Sequence, residues 1–327
     1  MADQKLTDLT ALATPGLDAL FYVVNDPSGT PVDRKVALSA LAQIVGCPCQ
    51  GRVTTESGVP VSSSDRIGQS TLYFTPYNGA VVALYTAGAW KLYTFTERSF
   101  ALSGLTSGKN YDVFLYDNAG TLTLELSAAW TSDTVRADAI TQQDGIDVKS
   151  GNASRRLVGT IRTTGTTTTE DSFAKRLVWN KYNRVPRSMS VFETAANWTY
   201  QTATWRQTNA NAANQLAYVT GEAGTYITAQ MMNQSNNTNA SGVSHYLAIG
   251  VDSTTVPAVG SVTLSHATAS SQTEVIVVAY TGVPGLGYHY LAGMEQSTAT
   301  ATTNWSASGT VSGQSVKLWG MFGLIWN

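Results

Sequence analysis

The sequence predicts an all-β fold, and three observations carry that prediction. Charged residues make up only 13% of the 327 residues, about half of the roughly 25% found in ordinary soluble domains. Threonine occurs 44 times, against 42 charged residues, and its β-branched side chain favours strands over helices. Apolar runs of strand length, bounded by Gly, Asn and Ser, recur along the chain. With 43% apolar residues, a chain of this length can bury a sizeable core.

Residues 1–50 are the most helix-compatible part, and they predict a small mixed α/β segment. A strand is expected in "ALFYVVND" and a turn in "DPSGTP". A helix is expected in "DRKVALSALAQIVG", whose apolar residues include Val36, Leu38 and Leu41 and which ends at Gly46. Because this segment is too small for a core of its own, we expect it to dock onto something else.

Residues 51–154 predict a compact central β-domain. Its clearest element is a hairpin in "NYDVFLYDNAGTLTLEL", with Asp117 to Gly120 as the turn between two alternating runs. Tyr111, Val113 and Leu115 are expected to share one face of the first strand.

Residues 155–327 predict a larger C-terminal β-domain. About ten short strand candidates, separated by Gly, Asn and Ser turns, indicate a two-sheet sandwich of jelly-roll type. The final "LWGMFGLIWN" is so apolar that it is expected either as a buried strand or at an interface.

The net charge of −2 argues against bulk binding to nucleic acid, which rewards a strongly basic surface. Basic residues are nevertheless concentrated in one strip, and none occurs from Gln207 to Val316. We interpret the strip as an intersubunit or interdomain seam, pairing with carboxylates such as Glu170, Asp171 and Glu193. The seam residues are Lys175, Arg176, Lys181, Arg184 and Arg187.

The residues that could carry catalysis or bind a metal are scattered. The histidines His245, His266 and His289 lack metal-ligand spacing, and Cys47 and Cys49 supply only two ligands. No phosphate-binding, dinucleotide or nucleophile motif is present. We therefore expect no cofactor, no metal and no enzymatic activity. Glycoside hydrolysis would need two converging carboxylates; the candidates are Glu222, Asp252, Glu274 and Glu295.

Seven aromatic or imidazole residues stand beside Asn, Thr, Gln and Ser in the C-terminal part. Rings next to amides and hydroxyls serve a core, a subunit interface or a sugar-binding surface, and the sequence leaves these three alternatives open. The residues are Trp198, Tyr200, Trp205, Tyr288, His289, Tyr290 and Trp305.

No run resembles a signal peptide or a membrane span. We expect a protein that is made and stays soluble in a cytoplasm, without membrane insertion.

Several blocks resemble the structural proteins of tailed bacteriophages, which include tail fibres, minor tail proteins and head-decorating proteins. The blocks are "LTSGKNYDVFLYDNAGTLTLEL", "RRLVGTIRTTGTTTTEDS", "RLVWNKYNRVPRSM", "WTYQTATWRQTN" and "GYHYLAGMEQ", together with an N-terminal "LTDLTALATPGLDALFYVVNDPSGTPVDRKVALSAL". The resemblance implies a homotrimeric virion appendage assembled in a bacterial cytoplasm. Its residues 1–50 would attach to a tail, portal-proximal or capsid protein, with Val36, Leu38 and Leu41 in the contact.

The function expected from this resemblance is host-surface binding. A short trimeric tail fibre or spike would present the C-terminal sandwich to a cell-surface glycan. The alternatives are a purely structural decoration or cement protein, and a polysaccharide depolymerase that would depend on a carboxylate such as Glu295. A surface poor in charge favours packing between identical subunits independently of the resemblance.

Overall fold

The computed structural model describes residues 20–25, 32–37, 46–237, 243–268, 272–311 and 313–327. Within these ranges the chain is almost wholly β, which confirms the predicted fold class, and the one short helical element is a 3-10 turn at Thr208–Ala210. The first thirteen strands are β1 Leu20–Asn25, β2 Val32–Ala37, β3 Gly51–Thr54, β4 Arg66–Gln69, β5 Thr71–Pro76, β6 Val81–Thr86, β7 Ala89–Thr94, β8 Arg98–Ala101, β9 Asn110–Asn118, β10 Thr121–Leu126, β11 Ile140–Gln143, β12 Ile146–Lys149 and β13 Asn152–Arg162.

The remaining described strands belong mostly to the C-terminal half. They are β14 Thr169–Asp171, β15 Lys175–Arg176, β16 Val178–Asn180, β17 Pro186–Val191, β18 Asn197–Tyr200, β19 Arg206–Gln207, β20 Gln215–Thr220, β21 Ile227–Asn237, β22 Val243–Val251, β23 Val262–Ala267, β24 Thr273–Gly282, β25 Gly287–Gln296, β26 Thr303–Ser306, β27 Ser308–Val311, β28 Gln314–Lys317 and β29 Gly320–Trp326.

The N-terminal segment contains an antiparallel pair, β1 with β2, in which Phe21 lies opposite Val36. Strand β1 confirms the strand predicted in "ALFYVVND". The predicted helix is wrong for residues 33–37, which lie in β2. The pairing with β1 satisfies the backbone groups of this stretch, and β-branched Val32 and Val36 favour an extended chain. Leu38 and Leu41 lie outside the described residues.

A first core forms around the predicted hairpin. Strands β9 and β10 pair in register around Ala119 and Gly120, which both adopt positive φ, as the tight turn requires. Tyr111, Val113 and Leu115 are buried on one side of β9, as predicted. They pack against apolar residues of the three-stranded β3–β5–β8 sheet and of the β6–β7 hairpin.

The first core extends past the predicted boundary between residues 154 and 155. That boundary falls inside β13, which lies between β9 and β12 in one sheet and also pairs with β16. Val158 and Ile161 of β13 and Val178 of β16 are buried in the first core. A strand between two neighbours exchanges backbone hydrogen bonds on both edges, so β13 is an integral part of the central sheet.

A second core lies between two sheets, which confirms a β-sandwich in the C-terminal half. One sheet has the order β23–β22–β25–β20–β15–β14–β4, and the other contains β17, β29, β21, β24, β26 and β18. Leu216, Leu247 and Leu291 of the first sheet face Met231 and Ile325 of the second in one buried cluster. The jelly-roll topology stays a prediction.

The two halves are joined by shared strands and by several close contacts, one of which lies at the start of β25. Strand β4 of the first half pairs with β14, and β15 runs parallel to β20. Near the start of β25, the backbone N–H of Tyr288 donates to the carbonyl oxygen of Asp133 at 2.9 Å. Gly287 makes this approach possible: its φ is +113°, and a Cβ there would lie 2.1 Å from that oxygen. A cavity opens beside this contact.

Candidate functional site

The cavity at the junction of the two halves has a volume of about 310 Å³ and is lined by Asp133, Thr134, Asp252, Tyr288 and Tyr290. Sites for small ligands are commonly concave, of this size or larger, and located where structural units meet. Alternation along β25 sends Tyr288 and Tyr290 to the cavity side and the intervening His289 towards the core. Two of the predicted aromatic residues are therefore brought together on one surface.

Asp252 holds one wall of the cavity in place. It follows β22 in a left-handed conformation, with φ of 51°. Its Oδ1 accepts the backbone N–H of Tyr290 at 2.9 Å, and its Oδ2 lies 2.7 Å from Nδ1 of His289. Because an ionised carboxylate only accepts hydrogen bonds, Nδ1 of His289 is the donor. Buried His289 thus fixes the cavity wall and does not face a ligand.

The opposite wall comes from the first half of the molecule. The guanidinium of Arg162 lies flat against Tyr288, with 3.6 Å between its central carbon and the ring centroid. Its Nη1 donates to Asp133 Oδ1 at 2.7 Å. The other oxygen of Asp133 makes no hydrogen bond to the described residues, and the side chain is 52% exposed. The cavity therefore offers a carboxylate oxygen that is free to accept.

The hydroxyl groups of Tyr288 and Tyr290, which line the same cavity, are hydrogen-bond donors. Burial raises the pKa of Tyr288 and of Tyr290, and the negative charge of Asp252 raises both further. Both hydroxyls therefore stay protonated at neutral pH. An aromatic surface beside phenol donors and a carboxylate acceptor matches a sugar ring, which has apolar C–H faces and a rim of hydroxyls.

The remaining predicted aromatic residues lie elsewhere. Trp305 is fully buried in the second core, and Trp198 is buried there too, so neither ring is available to a ligand; the core alternative applies to both. Tyr200 is half-buried beneath the guanidinium of Arg206, and its hydroxyl donates to the carbonyl oxygen of Thr204 at 2.9 Å. Trp205 meets Tyr246 edge to face, with 6.3 Å between ring centroids.

Glu295 is a buried carboxylate whose two oxygens are both engaged. Oε2 accepts the indole N–H of Trp198 at 2.7 Å. Oε1 accepts from Arg206 at 2.7 Å and from the backbone N–H of Asn209 at 3.2 Å. Burial raises the pKa of Glu295 to about 7, although Arg206 opposes the shift. These contacts tie β18, β19 and the 3-10 turn to β25.

The basic strip pairs with carboxylates of its own chain. Asp171 binds Arg176 and Arg187, each at 3.0 Å, and all three side chains are buried. Lys175 pairs with Glu170 at 3.2 Å. Glu170 and Asp171 were the predicted partners. The pairs of Lys175 and Arg176 join the neighbouring strands β14 and β15, and the pair of Arg187 joins β14 to β17 of the other sandwich sheet. The intersubunit interpretation of the strip stays a prediction.

The rest of the strip forms a second group of ion pairs. Lys181 lies 2.8 Å from Asp147 and 3.2 Å from Glu222, which also pairs with Arg184. Glu193, the third predicted partner, instead accepts from the amides of Asn211 and Asn214.

The described ranges contain neither a candidate metal cluster nor a candidate membrane-spanning helix. No group of three or more His, Cys, Asp or Glu side chains there could hold a metal ion. No helix in those ranges is long and apolar enough to cross a membrane.

Sequence reasoning found Tyr288 and Tyr290 but missed Asp133, Thr134 and Arg162 as their partners. Asp133 and Arg162 lie more than 120 positions before Tyr288, and nothing in "AAWTSDTVRAD" distinguishes it from an ordinary loop. Tertiary contacts bring the groups together: the backbone hydrogen bond beside Gly287, the Arg162–Asp133 ion pair and the stacking of Arg162 on Tyr288.

Comparison with known proteins leaves the family open. No protein-family model matches the chain, and no curated protein matches it. A structure of the infectious bursal disease virus Gx strain is similar at 11% identity and a TM-score of 0.26, covering 84% of this chain and 70% of that one. Tripeptidyl peptidase 2 aligns at 11% identity and a TM-score of 0.20, covering 85% of this chain and 20% of that one. A Bacillus thuringiensis Cry1Da tryptic core variant aligns at 6% identity and 0.16, covering 95% and 58%. Scores this low do not indicate a shared fold.

Proposed function

We propose that this chain is a β-structural protein of a virion that contacts carbohydrate through the cavity at Tyr288 and Tyr290. The observation that carries the proposal is the cavity itself: two tyrosines, a carboxylate oxygen open to a ligand and a hydroxyl-bearing Thr134 surround about 310 Å³. The virion role is supported by the resemblance of several sequence blocks to tailed-phage structural proteins. In an appendage, the sandwich would present the cavity to a cell-surface glycan.

The charges of the cavity favour a neutral sugar. Asp133 and Asp252 contribute two carboxylates, whereas Arg162 contributes one guanidinium that is already paired with Asp133 and stacked on Tyr288. A sialylated, uronic or phosphorylated glycan would bring further negative charge to this surface, and like charges in a partly desolvated site repel. We therefore expect hexose or N-acetylhexosamine units to be preferred.

A glycan array probed with the purified chain tests the proposal. Retention on neutral glycans should fall at least tenfold in Tyr290→Ala, because the ring and its hydroxyl donor are lost together. The matched control is Tyr77→Ala, which removes an exposed tyrosine of the first half and should leave retention unchanged. Absence of retention by the unmodified chain, or equal retention by Tyr290→Ala, would overturn the proposal.

Attachment to the particle through residues 1–50 is the second part of the proposal. Val36 lies in β2 and is only partly buried. We expect Val36→Asp to leave the sandwich folded and glycan retention intact while incorporation into particles falls. Normal incorporation of this variant would contradict a contact at Val36.

A decoration or cement protein is the alternative function, and a specific observation favours it. Exposed apolar side chains gather on one uncharged sheet face, which includes Phe322, Leu324 and Trp326. Exposed apolar patches of this kind mark protein contacts. In that case, particles lacking the chain would be fragile and yet adsorb to cells normally, whereas loss of a receptor-binding protein would abolish adsorption.

A further inference from the structure

The outer face of one sandwich sheet carries two apolar rows and no charged side chain. It is formed by β17, β29, β21 and β24, which are neighbours in that order. On β29, Met321 and Ile325 point into the core, and the alternate residues Phe322, Leu324 and Trp326 are 41%, 39% and 48% exposed. On β24, Ile276 and Val278 are buried, and Val275 and Val277 are 59% and 42% exposed.

The central strand of this outer face is polar but carries no charge. Residues directly opposite each other in an antiparallel pair point to the same side, so the register identifies what faces out. Gln230 lies between Phe322 and Ala279, and Thr228 lies between Leu324 and Thr281. The outward residues of the four strands include no Lys, Arg, Asp or Glu; they are Pro186, Ser188, Ser190, Gly320, Phe322, Leu324, Trp326, Thr228, Gln230, Met232, Gln234, Asn236, Thr273, Val275, Val277, Ala279 and Thr281.

We infer that this outer face binds the same face of a second copy of the chain. The outward side chains of β29 and β24 are mostly apolar. Those of β21, which lies between these two strands, are mostly amides and hydroxyls. When a two-fold axis turns this pattern onto itself, apolar rows meet apolar rows and the β21 amides meet β21 amides. An amide carries both donors and an acceptor and can therefore pair with another amide. A two-fold contact requires such a self-complementary surface.

The absence of charge supports a second copy of the chain as the partner, and the area of the face limits how tightly the two copies bind. Four strands spaced about 4.8 Å apart, with seven residues rising about 3.4 Å each, cover roughly 450 Å² of flat area per copy. This area is below the roughly 800 Å² per partner of a standard interface, so we expect a weak pair that forms at tens of micromolar chain concentration. A partner with charged contact residues would find no counter-charge on the four strands, and Arg184, which lines a cavity with Trp326 at one end of the face, is already paired with Glu222. A second copy desolvates no charges on this face, so it avoids the cost of burying unpaired ions.

The inferred assembly has two copies of the chain, whereas the sequence resemblance implies three. A three-fold ring sets one surface against a different surface of the neighbour, whereas self-pairing of one face closes at two copies. The inference does not depend on the carbohydrate proposal: the cavity is lined by Asp133, Thr134, Asp252, Tyr288 and Tyr290, none of which is an outward residue of the paired face.

Light scattering of the full chain coupled to size exclusion tests the pair. The expected mass is twice 34.8 kDa. The double variant Phe322→Glu plus Leu324→Glu should shift the equilibrium to the single chain, with association at least tenfold weaker, because it brings four carboxylates into an apolar contact. Val135→Glu is the matched control: Val135 is an apolar residue of the first half, 54% exposed, and its replacement should leave the dimer mass unchanged. All variants should retain one cooperative unfolding transition, because the replaced side chains lie on the surface; the double variant should unfold at lower denaturant than the unmodified chain, since it loses the stabilisation that association provides.

Cysteine crosslinking gives an independent measure of the axis. A residue of the central strand near a two-fold axis faces its own copy, so oxidation should join two chains when Gln230→Cys, Met232→Cys or Gln234→Cys is introduced singly. The native Cys47 and Cys49 are free and buried and therefore give a low background. Val135→Cys is the matched control and should stay uncrosslinked. A single-chain mass at tens of micromolar, a three-chain mass, a dimer that survives the double glutamate variant, or crosslinking equal to that of Val135→Cys would each overturn the inference.

Discussion

The two cores of this molecule use charge to different degrees. Around the first core, guanidinium groups are buried inside the chain: Arg156 donates to the carbonyl oxygens of Cys47, Pro48 and Ala83, and Arg52 donates to that of Asn327. All Lys and Arg except Lys317 precede Gln207. The sandwich also buries ions, Asp171 with Arg176 and Arg187 and Glu295 with Arg206, but all their cations precede Gln207. From Gln207 to Val316, where Lys and Arg are absent, interior polar groups pair through hydroxyls and imidazole, as where Ser235 lies 2.7 Å from His245 Nδ1.

Charge therefore has different consequences in the two halves. In the first half, cations reach across strands to carbonyls and carboxylates, so they hold distant parts of one chain together. On the outer face formed by β17, β29, β21 and β24, the absence of charged side chains leaves a surface that another neutral surface can cover at little desolvation cost.

Asp171→Ala should destabilise the fold by about 3–5 kcal/mol, because it leaves buried Arg176 and Arg187 without their shared carboxylate. Urea unfolding measures the loss. Asp138→Ala is the control: its partner Lys149 is partly exposed, so its removal should cost less than about 1 kcal/mol. A loss below 1 kcal/mol for Asp171→Ala would mean that these ions are not stabilising ties.

Gly287→Ala should cost about 2 kcal/mol or more, because it combines an unfavourable positive φ with a Cβ 2.1 Å from the carbonyl oxygen of Asp133. The variant should also lose glycan retention, since the two cavity walls are forced apart. Gly260→Ala provides the comparison: its φ is +78° with open space around the new Cβ, so only the conformational cost of about 1 kcal/mol applies. Equal losses for the two would argue against a tight junction.

Glu295 should make the sandwich less stable as pH rises. Its folded pKa of about 7 lies above the unfolded value of about 4.3, so its stabilisation is full below about pH 4 and is lost as pH rises through 7. Between pH 5 and pH 8 the unmodified chain should lose about 1–3 kcal/mol more than Glu295→Gln. Asp112, whose pKa burial also raises, contributes equally to both proteins and cancels. Parallel pH profiles would rule out a raised pKa at Glu295.

Lys149→Ala should have the smallest effect, below about 1 kcal/mol, because its pairs with Glu125 and Asp138 are partly exposed and screened by salt. Urea unfolding with and without 1 M NaCl should show that even this small loss disappears at high salt. A loss comparable to that of Asp171→Ala would remove the distinction between buried and surface pairs.

Local patterns predicted the elements in which local and tertiary preferences agree. The β9–β10 hairpin was predictable because its alternation and its turn residues point to the same register. Strand β29 was predictable as a strand, and its apolar composition fitted both a core and an interface; the structure places Met321 inside and Phe322 outside. The helix over residues 33–37 failed because pairing with β1 outweighs a weak helical pattern.

The candidate site was only half predictable. Tyr288 and Tyr290 stood out as aromatics among glycines, whereas Trp198 and Trp305 looked equally suitable and are core residues. In a strand, alternation shows which residues share a face but not which face is buried. Asp133 and Arg162 carried no signal, because their role depends on a contact made across more than 120 residues.

The amino-acid sequence by itself determined that this protein is a β structure with few ions, since side-chain branching, alternation and turn chemistry act between near neighbours. Three further features follow from the tertiary structure. The basic strip pairs with carboxylates of its own chain, and Tyr288 and Tyr290 lie beside Asp133 of the other half. The outer face of β17, β29, β21 and β24 is left uncovered by the described residues. These outcomes depend on which surfaces come together when two cores form on one chain, and burial and charge pairing act through space irrespective of sequence distance.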